Sequence, residues 1–483
     1  MINTGTREEF IASTNFKFEP DKVEQVTLGK KKYWMPKMLA HQNGSLKFLK
    51  PRKRVFDTSD AGTGKTPVHI KDFAMRRRKG GGALLVLCPK SLIYSAWGAD
   101  FAVFAPDMNV SLIYADNRVE GFDTDADVYV TNIDAAVWLA KQKPKFFEHF
   151  EHLVIDESTS IKHATSGRSK AVSKIRKYFE VRRLLTGTPT SNGICDIHHQ
   201  VYVLDDGAKL GESFFAFRSA VCVPKQVGQS AKMIHWEDKP GIEPVVGALI
   251  SDMVIRNIFE KCVDIPPNYQ HAIEYELSPR HRKLYDTLEN DSFLSLQKTT
   301  VSALNGATLY TKLLQCASGA TYSDDGDYAL LDTGRYELVS DLIEARKHSV
   351  VFFNWRHQRD QLLLVAKKEK WPYAVIDGTV TQKGAREKIV EAYQAGVYKV
   401  LFAHPQSAGH GLTLTRGTTT IFASPTPNLE HFLQAYKRIY RIGQKDKTET
   451  LMVIAKNTLD VRVWASCQAK DTKQANLLDY LGS

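Results

Sequence analysis

The stretch that decides the fold is Asp60-Ala61-Gly62-Thr63-Gly64-Lys65-Thr66, a glycine-rich turn that ends in a lysine and a threonine. Between a strand and a helix, the backbone N–H groups of such a turn cradle phosphates, the lysine reaches the β- and γ-phosphates, and the threonine hydroxyl holds Mg²⁺. A glycine-rich turn can also be only a turn, and Ser59 stands where the strict pattern has a glycine. Because Gly-Lys-Thr opens a helix here, we favour a phosphate-binding loop. Its predicted ATP-binding residues are Ala61, Gly62, Thr63, Gly64, Lys65 and Thr66.

Short β-branched runs alternate with helical patterns in both halves of the chain, which is typical of parallel α/β sheets. The strand candidates are 83–88, 127–131, 152–156, 182–186, 349–353, 373–376, 399–403, 419–423 and 448–454. Residues 278–316 are helical in character, and residues 319–334 have the Asp and Gly content of a loop. The pattern predicts two α/β lobes joined by a partly helical segment.

Composition limits the function. With 483 residues, of which 43% are hydrophobic, the chain is expected to form two or more packed domains. Its net charge of +11 suits a polyanionic partner such as nucleic acid. The six cysteines are scattered with no C-x-x-C pair, which argues against a zinc site and a disulfide framework and indicates a reducing compartment. No signal segment and no membrane-spanning run is evident, so we expect a cytoplasmic protein.

An apolar strand that ends at Asp156-Glu157 supplies the second catalytic pattern. Ligands of open α/β sheets bind at the carboxyl ends of strands, where Asp156 is placed to hold Mg²⁺ and Glu157 to deprotonate the attacking water. Asp-Glu pairs also occur at strand ends by chance. This pair follows Lys65 by roughly 90 residues, a usual interval for such ATPases. Together with the loop, it therefore predicts ATP hydrolysis.

Two further patterns carry less information on their own. The segment 186–189 is good turn chemistry, yet the hydroxyls of Thr186 and Thr188 at a strand end can couple the γ-phosphate site to the second lobe. The spacing of Arg438 and Arg441 predicts that both guanidinium groups lie on one helix face. They form either a solvated basic surface or a pair that neutralises the transferring phosphoryl group.

The order of these patterns resembles that of superfamily-two helicase motors. The matching segments are Gln42, DAGTGKT (60–66), LCPKSL (87–92), VTN (130–132), DEST (156–159), LTGTPTSNG (185–193), VVFFNWR (350–356), DGTVT (377–381), SAGHGLTLT (407–415) and QAYKRIYRIGQ (434–444). More narrowly, the chain is similar to the Swi/Snf-type double-stranded-DNA translocases, on the evidence of segments 161–162, 253–256, 265–267 and 441–444. Its compactness resembles the small phage and prokaryotic members.

The resemblance implies an α/β fold with two RecA-like parallel-sheet lobes and a partly helical insertion between them. The implied domains are an N-terminal ATP-binding lobe at 1–255, a helical linker at 256–330 and a C-terminal helicase lobe at 331–483. ATP and Mg²⁺ are the implied cofactors, with Thr66 and Asp156 at the metal and Gln42 at the adenine. The catalytic positions are Lys65, Asp156, Glu157, Arg438 and Arg441. The remaining ATP-binding positions are Gly409, Gly411 and Gln434.

The resemblance also implies a nucleic-acid track gripped through phosphates, which fixes position without reading sequence. Its candidate contacts are Lys90, Ser91, Thr131, Asn132, Lys162, Asn354, Arg356, Thr379, Arg386 and His410. The expected partner is duplex or branched DNA, in a prokaryotic cell or phage-infected host. Thr159 and Thr413 depart from the family pattern, which commonly has His and Asn there.

We therefore expect an ATP-dependent DNA translocase/helicase that remodels replication or recombination intermediates by fork reversal or branch migration. Three alternatives stay open: an RNA helicase or RNA-polymerase-recycling motor, a non-catalytic nucleic-acid clamp, and the motor subunit of a restriction or nuclease assembly. Stimulation of ATPase activity by duplex DNA, single strands and RNA separates the first, a simple ATPase assay the second, and a pull-down the third.

Overall fold

The computed structural model describes residues 6–13, 20–226, 234–298, 303–380, 384–408 and 412–481. The chain divides into two compact units, one formed by residues 1–264 with 472–483 and the other by residues 265–471. Each unit is built on a parallel sheet. The predicted α/β fold with two parallel-sheet lobes is therefore confirmed, whereas the three-part division at 255 and 330 stays a prediction.

The first unit contains a seven-stranded parallel sheet and two antiparallel hairpins. Its strands are β1 (Val23–Leu28), β2 (Lys31–Pro36), β3 (Arg54–Asp57), β4 (Ala83–Cys88), β5 (Val110–Ile113), β6 (Val128–Asn132), β7 (Phe150–Asp156), β8 (Val181–Leu185), β9 (Cys222–Gln226), β10 (Ile234–Asp238) and β11 (Val254–Ile255). The sheet order is β11-β3-β8-β7-β4-β6-β5, while β1 pairs with β2 and β9 with β10. The four strands predicted in this half are confirmed as β4, β6, β7 and β8.

Helices connect the strands of this unit. They are α1 (Arg7–Ser13), α2 (Ala40–Leu49), α3 (Lys65–Arg77), α4 (Ala99–Phe104), α5 (Arg118–Asp123), α6 (Ala136–Leu139), α7 (Gly167–Ile175), α8 (Ile197–Asp205), α9 (Phe214–Val221), α10 (Ile242–Ile250) and α11 (Phe259–Cys262). Strand β4 is buried at every position. Leu85 and Leu87 pack into one apolar cluster and Leu84 and Val86 into another, because successive side chains of a strand point to opposite faces of the sheet.

The second unit contains a six-stranded parallel sheet. The strands of that sheet are β12 (Asn268–Tyr275), β15 (Ser349–Phe352), β16 (Tyr373–Ile376), β17 (Val400–Ala403), β18 (Thr419–Phe422) and β19 (Thr448–Ala455). Two further strands, β13 (Ala320–Tyr322) and β14 (Tyr328–Leu330), form a separate antiparallel hairpin. The helices of this unit are α12 (Pro279–Lys298), α13 (Ala303–Ala317), α14 (Gly334–Glu344), α15 (Arg356–Lys368), α16 (Ala385–Gln394), α17 (Pro405–Ala408), α18 (Leu429–Tyr436) and α19 (Leu459–Leu481), the last of which ends among residues of the first unit. The sheet order is β12-β19-β18-β15-β17-β16, and the five strands predicted in this half are confirmed as β15–β19.

Two features of the middle of the chain differ from the expectation. The segment expected to be a helical linker contains β12, which pairs in parallel with β19 at the edge of the second sheet. Most of its side chains are exposed, so it lacks the apolar pattern of a buried strand. The segment 319–334, expected to be a loop, holds the antiparallel hairpin of β13 and β14.

A buried ion pair holds the second unit together. Arg335 donates hydrogen bonds from Nη1 to the carbonyl oxygens of Ala423 and Val453, and from Nη2 to that of Ala317 and to Asp460 Oδ2 at 2.5 Å. Both charged side chains are 1% exposed.

Among the described helices, none combines the length and apolar character that crossing a membrane requires.

Candidate nucleotide and nucleic-acid sites

Three of the predicted functional turns lie side by side at the carboxyl edge of the first sheet. Asp57 at the end of β3 pairs with Leu185 of β8, and Leu185 in turn pairs with Asp156 of β7. Neighbouring strands are about 4.8 Å apart, so the phosphate loop, the turn after β8 and the Asp156-Glu157 turn leave the sheet at one level. Ligands of open α/β sheets bind at this edge.

The phosphate loop has the backbone shape that its glycines predict. Gly62 and Gly64 have φ of 92° and 77°, in the left-handed region that favours glycine, and α3 begins at Lys65. A side chain at position 64 would collide with the amide nitrogen of Gln42. Lys65 Nζ donates to the carbonyl oxygens of Ser59 and Asp60, at 2.6 and 3.1 Å. The thirteen-residue helix therefore presents its positive N-terminal end at the end of this loop.

Gln42 lies beside this loop. Its Nε2 donates to the carbonyl oxygens of Thr63 and Gly64 at 3.4 and 3.3 Å, and its Oε1 accepts from the N–H of Leu39 at 2.9 Å. His41, which the sequence did not single out, contacts the same Thr63 carbonyl through Nε2 at 2.8 Å. The start of α2 is thus tied to the turn that precedes Lys65.

The first half of the phosphate loop is fixed by the segment 256–259, which follows β11. Arg256 Nη1 donates to the Thr58 carbonyl at 2.7 Å and to Asp60 Oδ1 at 2.6 Å. The N–H of Phe259 donates to Asp60 Oδ2 at 2.9 Å. In the sequence, the segment 253–256 indicated only the family, and Arg256 had no predicted role. The two-residue strand before Arg256 gives no local pattern from which its contact with Asp60 follows.

Ser59, the departure from the strict loop pattern, belongs to the same arrangement. It is fully buried, and its hydroxyl accepts from the backbone and the side-chain amide of Asn257, each at 3.0 Å. Beneath it, Asp57 contacts His69 Nε2 at 3.0 Å. Burial alone would raise the pKa of Asp57, but the hydrogen bond and charge of His69, with the charge of Lys65, outweigh burial and lower it. The loop therefore rests on an ionised carboxylate.

Asp156 and Glu157 occupy the turn after β7. Trp97 Nε1 donates to Asp156 Oδ2 at 2.9 Å, and the Glu157 N–H donates to Asp156 Oδ1 at 3.0 Å. Burial, and next the negative charge of Glu157, raise the pKa of Asp156 from 3.8 to about 6. Glu157 is half-buried and has a left-handed backbone, with φ of 53°. The turn therefore concentrates negative charge in a place where a cation lowers its energy.

These residues suit ATP with Mg²⁺. The loop offers backbone donors and a lysine to phosphates, and Thr66 lies in the first turn of α3. No cluster of three or more metal-binding side chains occurs in the part of the chain that the structure describes. Mg²⁺ needs no such cluster, because it is usually held by one or two carboxylates together with substrate phosphates and waters. Asp156 can supply such a carboxylate. Its pKa is raised only to about 6, so the group is still mostly ionised at neutral pH.

The turn after β8 lies against the phosphate loop. A side chain at Gly187 would meet the Ala61 nitrogen at 3.4 Å and the Ser59 carbonyl oxygen at 3.6 Å. Thr186 Oγ1 accepts from the Thr188 N–H at 3.1 Å, which is the turn chemistry that the sequence indicated. Both threonines are buried.

The predicted nucleic-acid contacts of the first unit fall into two groups. Lys90 and Ser91 are exposed directly after β4, next to the half-buried Asn132 at the end of the neighbouring strand β6. Thr131 is fully buried, and Lys162 Nζ donates to Asp196 Oδ2 at 3.0 Å and to a serine hydroxyl. The structure thus brings the first three together at one edge and turns the other two side chains to internal surroundings.

In the second unit, Thr379 and Arg386 come together around Asp377. The exposed Thr379 donates its hydroxyl to Asp377 Oδ1 at 2.6 Å, and Arg386 Nη2 donates to the Asp377 carbonyl at 3.4 Å. Asn354 is held by Ser424 and Pro425 at the end of β18, through hydrogen bonds from Nδ2.

Arg356 is an exposed side chain whose Nη2 donates to the Gly326 carbonyl at 2.7 Å, within the turn that joins β13 and β14. Arg356 therefore lies against the β13–β14 hairpin. The predicted residues Gly409, His410 and Gly411 lie outside the described residues.

The expectation that Arg438 and Arg441 share a helix face is wrong. Helix α18 ends at Tyr436, and both arginines lie in the turns that follow. Arg438 Nε donates back to the Gln434 carbonyl at 2.8 Å, and Arg441 Nη1 donates to the Leu412 carbonyl at 2.6 Å. The R-x-x-R spacing has helical period, but the sequence gives no sign that the helix stops before it.

Gln444, the last residue of this motif, has a structural use. It is buried, and its Nε2 donates to the carbonyl oxygens of Thr415 and Gly417 at 3.1 and 2.9 Å. Its Oε1 accepts from the N–H groups of Lys445 and Asp446. The arginine turns are thereby joined to the segment 412–417, which carries the preceding motif.

Two known families match the chain. The SNF2-related domain matches residues 27–319, and the helicase conserved C-terminal domain matches residues 334–443. Protein p41 of Acyrthosiphon pisum secondary endosymbiont phage 1 is 28% identical over 417 residues, which cover 82% of this chain and 88% of p41. The uncharacterized ATP-dependent helicase MG018 of Mycoplasma genitalium is 25% identical over 409 residues, which cover 81% of this chain and 36% of that relative.

A solved structure is also similar over most of the chain. It is the Sulfolobus solfataricus SWI2/SNF2 ATPase core in complex with dsDNA. The two are 19% identical with a TM-score of 0.42, over 91% of this chain and 96% of that one.

Proposed function

Because the chain belongs to the SNF2-related, Swi/Snf-type branch of superfamily-two helicases, we propose that it hydrolyses ATP to move along duplex DNA. The observation that carries the proposal lies within the first unit. A phosphate loop with Lys65 at the head of α3 ends level with a buried Asp156 whose pKa is raised to about 6. Such a pair of turns serves phosphoryl transfer, because one holds the phosphates and the other the metal and the attacking water.

Each residue of this edge has a proposed role. Lys65 and the loop N–H groups neutralise the phosphates, and Gln42 recognises the adenine. Thr66 and Asp156 would hold Mg²⁺, which would supply positive charge next to the phosphates. Glu157 accepts the proton of the attacking water.

The second unit contributes further proposed positions. Arg438 and Arg441 neutralise charge that develops on the transferring phosphoryl group, and an arginine in this role is worth about 10³–10⁵ in rate. Gln434, Gly409 and Gly411 complete the proposed ATP-binding positions. The turn that contains Thr186 and Thr188 couples hydrolysis to the track.

We propose that DNA is gripped through its phosphates. The exposed Lys90 and Ser91, with Asn132, support a contact surface in the first unit, and Thr379 with Arg386 support one in the second. Phosphate contacts fix the position of a protein on DNA without reading its sequence. The net charge of +11 supports such binding, and we expect it to weaken steeply with salt.

The test is steady-state ATP hydrolysis by the intact chain with duplex DNA, single-stranded DNA and RNA. We expect stimulation chiefly by duplex DNA, and loss of hydrolysis in Lys65→Ala and Glu157→Gln. Arg78→Gln is a matched control. Arg78 caps the C-terminal end of α3, opposite the phosphate loop, and pairs with Asp107. Turnover retained in either catalytic variant would contradict the proposal, and stimulation by RNA alone would favour an RNA motor.

A motor that tracks duplex DNA without separating its strands can move branch points, so we propose fork reversal or branch migration as its task. Labelled forks and four-way junctions test this directly. The expected products are reversed forks and resolved junction arms, formed only with hydrolysable ATP. Unchanged junctions under conditions of full duplex-stimulated hydrolysis would refute the task and leave the motor proposal standing.

A further inference from the structure

A buried glutamine links the hydrolysis turn to the turn after β8. Gln200 lies in α8 and is fully buried. Its Oε1 accepts a hydrogen bond at 2.7 Å from the hydroxyl of Ser158, the residue that follows Glu157. Its Nε2 donates to the Pro189 carbonyl at 2.9 Å. One amide thus spans the two turns that carry the proposed catalytic and coupling residues.

The turn that Gln200 contacts needs external support. Glu157 has φ of 53°, a conformation that non-glycine residues rarely adopt and that persists only where neighbouring contacts hold it. On one side the Asp156 carboxylate accepts from the Glu157 N–H. On the other side Ser158, which is fully buried and shielded from water, donates to Gln200. The hydrogen bond from Ser158 to Gln200 is therefore one of the contacts that fix the backbone next to Glu157.

Other contacts from the same helix end support the link. Asp196 accepts from Lys162 Nζ at 3.0 Å and from the Asn192 N–H at 2.9 Å, which joins the same two segments a second time. Gln200 Nε2 also donates to the Asp196 carbonyl at 2.9 Å. The amide therefore has a fixed orientation, because its oxygen and its nitrogen each have dedicated partners.

We propose that Gln200 is a positioning residue that aims Glu157 at the attacking water and transmits its position to the turn 186–189. The inference rests on the proposed ATP hydrolysis. Gln200 touches no reacting atom itself. Its effect is therefore on the rate of the hydrolytic step, while the phosphate loop, which holds the nucleotide, is anchored independently by Arg256.

The test compares Gln200→Leu and Ser158→Ala with wild type in duplex-stimulated hydrolysis and in binding of a fluorescent ATP analogue. We expect kcat to fall about tenfold to a hundredfold, the usual effect of misplacing a reacting group. We expect the analogue's Kd to stay within about twofold, because ground-state binding is not involved. The fold-loss in kcat of the double variant should be smaller than the product of the two single fold-losses, because both substitutions remove the same Ser158–Gln200 hydrogen bond.

Tyr202→Phe is the matched control. It removes a hydrogen bond from the same helix, where Arg176 Nη2 donates to Tyr202 Oη at 2.9 Å, and it reaches neither turn. We expect its kcat to equal that of wild type. If folded Ser158→Ala and Gln200→Leu both kept the wild-type kcat, or if their losses multiplied independently, the positioning role would be refuted while the motor proposal stood. A wild-type chain without hydrolysis would overturn both.

Discussion

Replacing Asp156 by asparagine removes a buried negative charge from the proposed metal site. The side chain keeps its size, but the single asparagine oxygen can accept from Trp97 Nε1 or from the Glu157 N–H and not from both, so one of the two hydrogen bonds is lost. We expect the variant to lose ATP hydrolysis, because Mg²⁺ loses its carboxylate. We also expect the variant to be more stable than wild type at neutral pH, because burial and the charge of Glu157 make the ionised Asp156 carboxylate unfavourable.

The pKa of Asp156 gives the size of this effect. It is raised from 3.8 to about 6 by burial and by the charge of Glu157. Between these two values the folded state binds more protons than the unfolded state, so the free energy of unfolding falls as pH rises through this window. Above it, keeping the carboxylate ionised costs about 3 kcal/mol. Asparagine does not incur this cost at any pH.

The assay is urea unfolding of the wild type and Asp156→Asn at several pH values without metal. Removal of the charge is worth about 3 kcal/mol near pH 7.5, about 1.6 kcal/mol near pH 5 and about 0.6 kcal/mol near pH 4, and the lost hydrogen bond subtracts about 1 kcal/mol at every pH. We therefore expect the variant to be about 2 kcal/mol more stable than wild type near pH 7.5 and about 0.5 kcal/mol less stable near pH 4. Mg²⁺ should stabilise only the wild type. The control is Asp134→Asn, whose carboxylate is 64% exposed in a surface pair and should change stability by less than about 1 kcal/mol. An Asp156→Asn variant that is equally destabilised at every pH would refute the reasoning.

Three further outcomes are expected. Arg256→Ala leaves the Asp60 carboxylate without its guanidinium partner and should weaken binding of a fluorescent ATP analogue about tenfold; unchanged affinity would show that the loop is fixed without it. Arg441→Ala should lower kcat about 10³-fold while the analogue still binds, and a matching loss of both would contradict a role in the transition state. Asp460→Ala leaves Arg335 buried and unpaired, so urea unfolding should show a loss of about 3 kcal/mol or more; a loss below about 1 kcal/mol would contradict its structural role.

The sequence predicted nine of the parallel strands and the glycine-rich turn before α3, because buried parallel strands and glycine-rich loops have strong local patterns. Strand β4 is apolar at every position, and the segment 60–66 needs positive φ at two glycines. Both features are encoded by a few adjacent residues. The carboxyl end of β7 also follows from its apolar run, which stops at Asp156.

The missed features depend on contacts between distant segments. Strand β12 is an edge strand with mostly exposed side chains. It pairs with β19, in which Thr448, the partner of Asn268, lies 180 positions further along the chain. The contact of Arg256 with Asp60 and that of Gln200 with Ser158 join residues 196 and 42 positions apart. No local pattern of charge or period indicates such partners.

Displacement of a third strand from triplex DNA by the intact chain tests the central claim most directly, because it reports movement along a duplex without requiring strand separation. We predict displacement by the wild type with ATP, none with a non-hydrolysable analogue, and none by Glu157→Gln, which should still bind the analogue. A wild type that hydrolyses ATP on duplex DNA yet leaves the triplex intact would contradict translocation. Displacement by Glu157→Gln would contradict the assignment of the hydrolytic site.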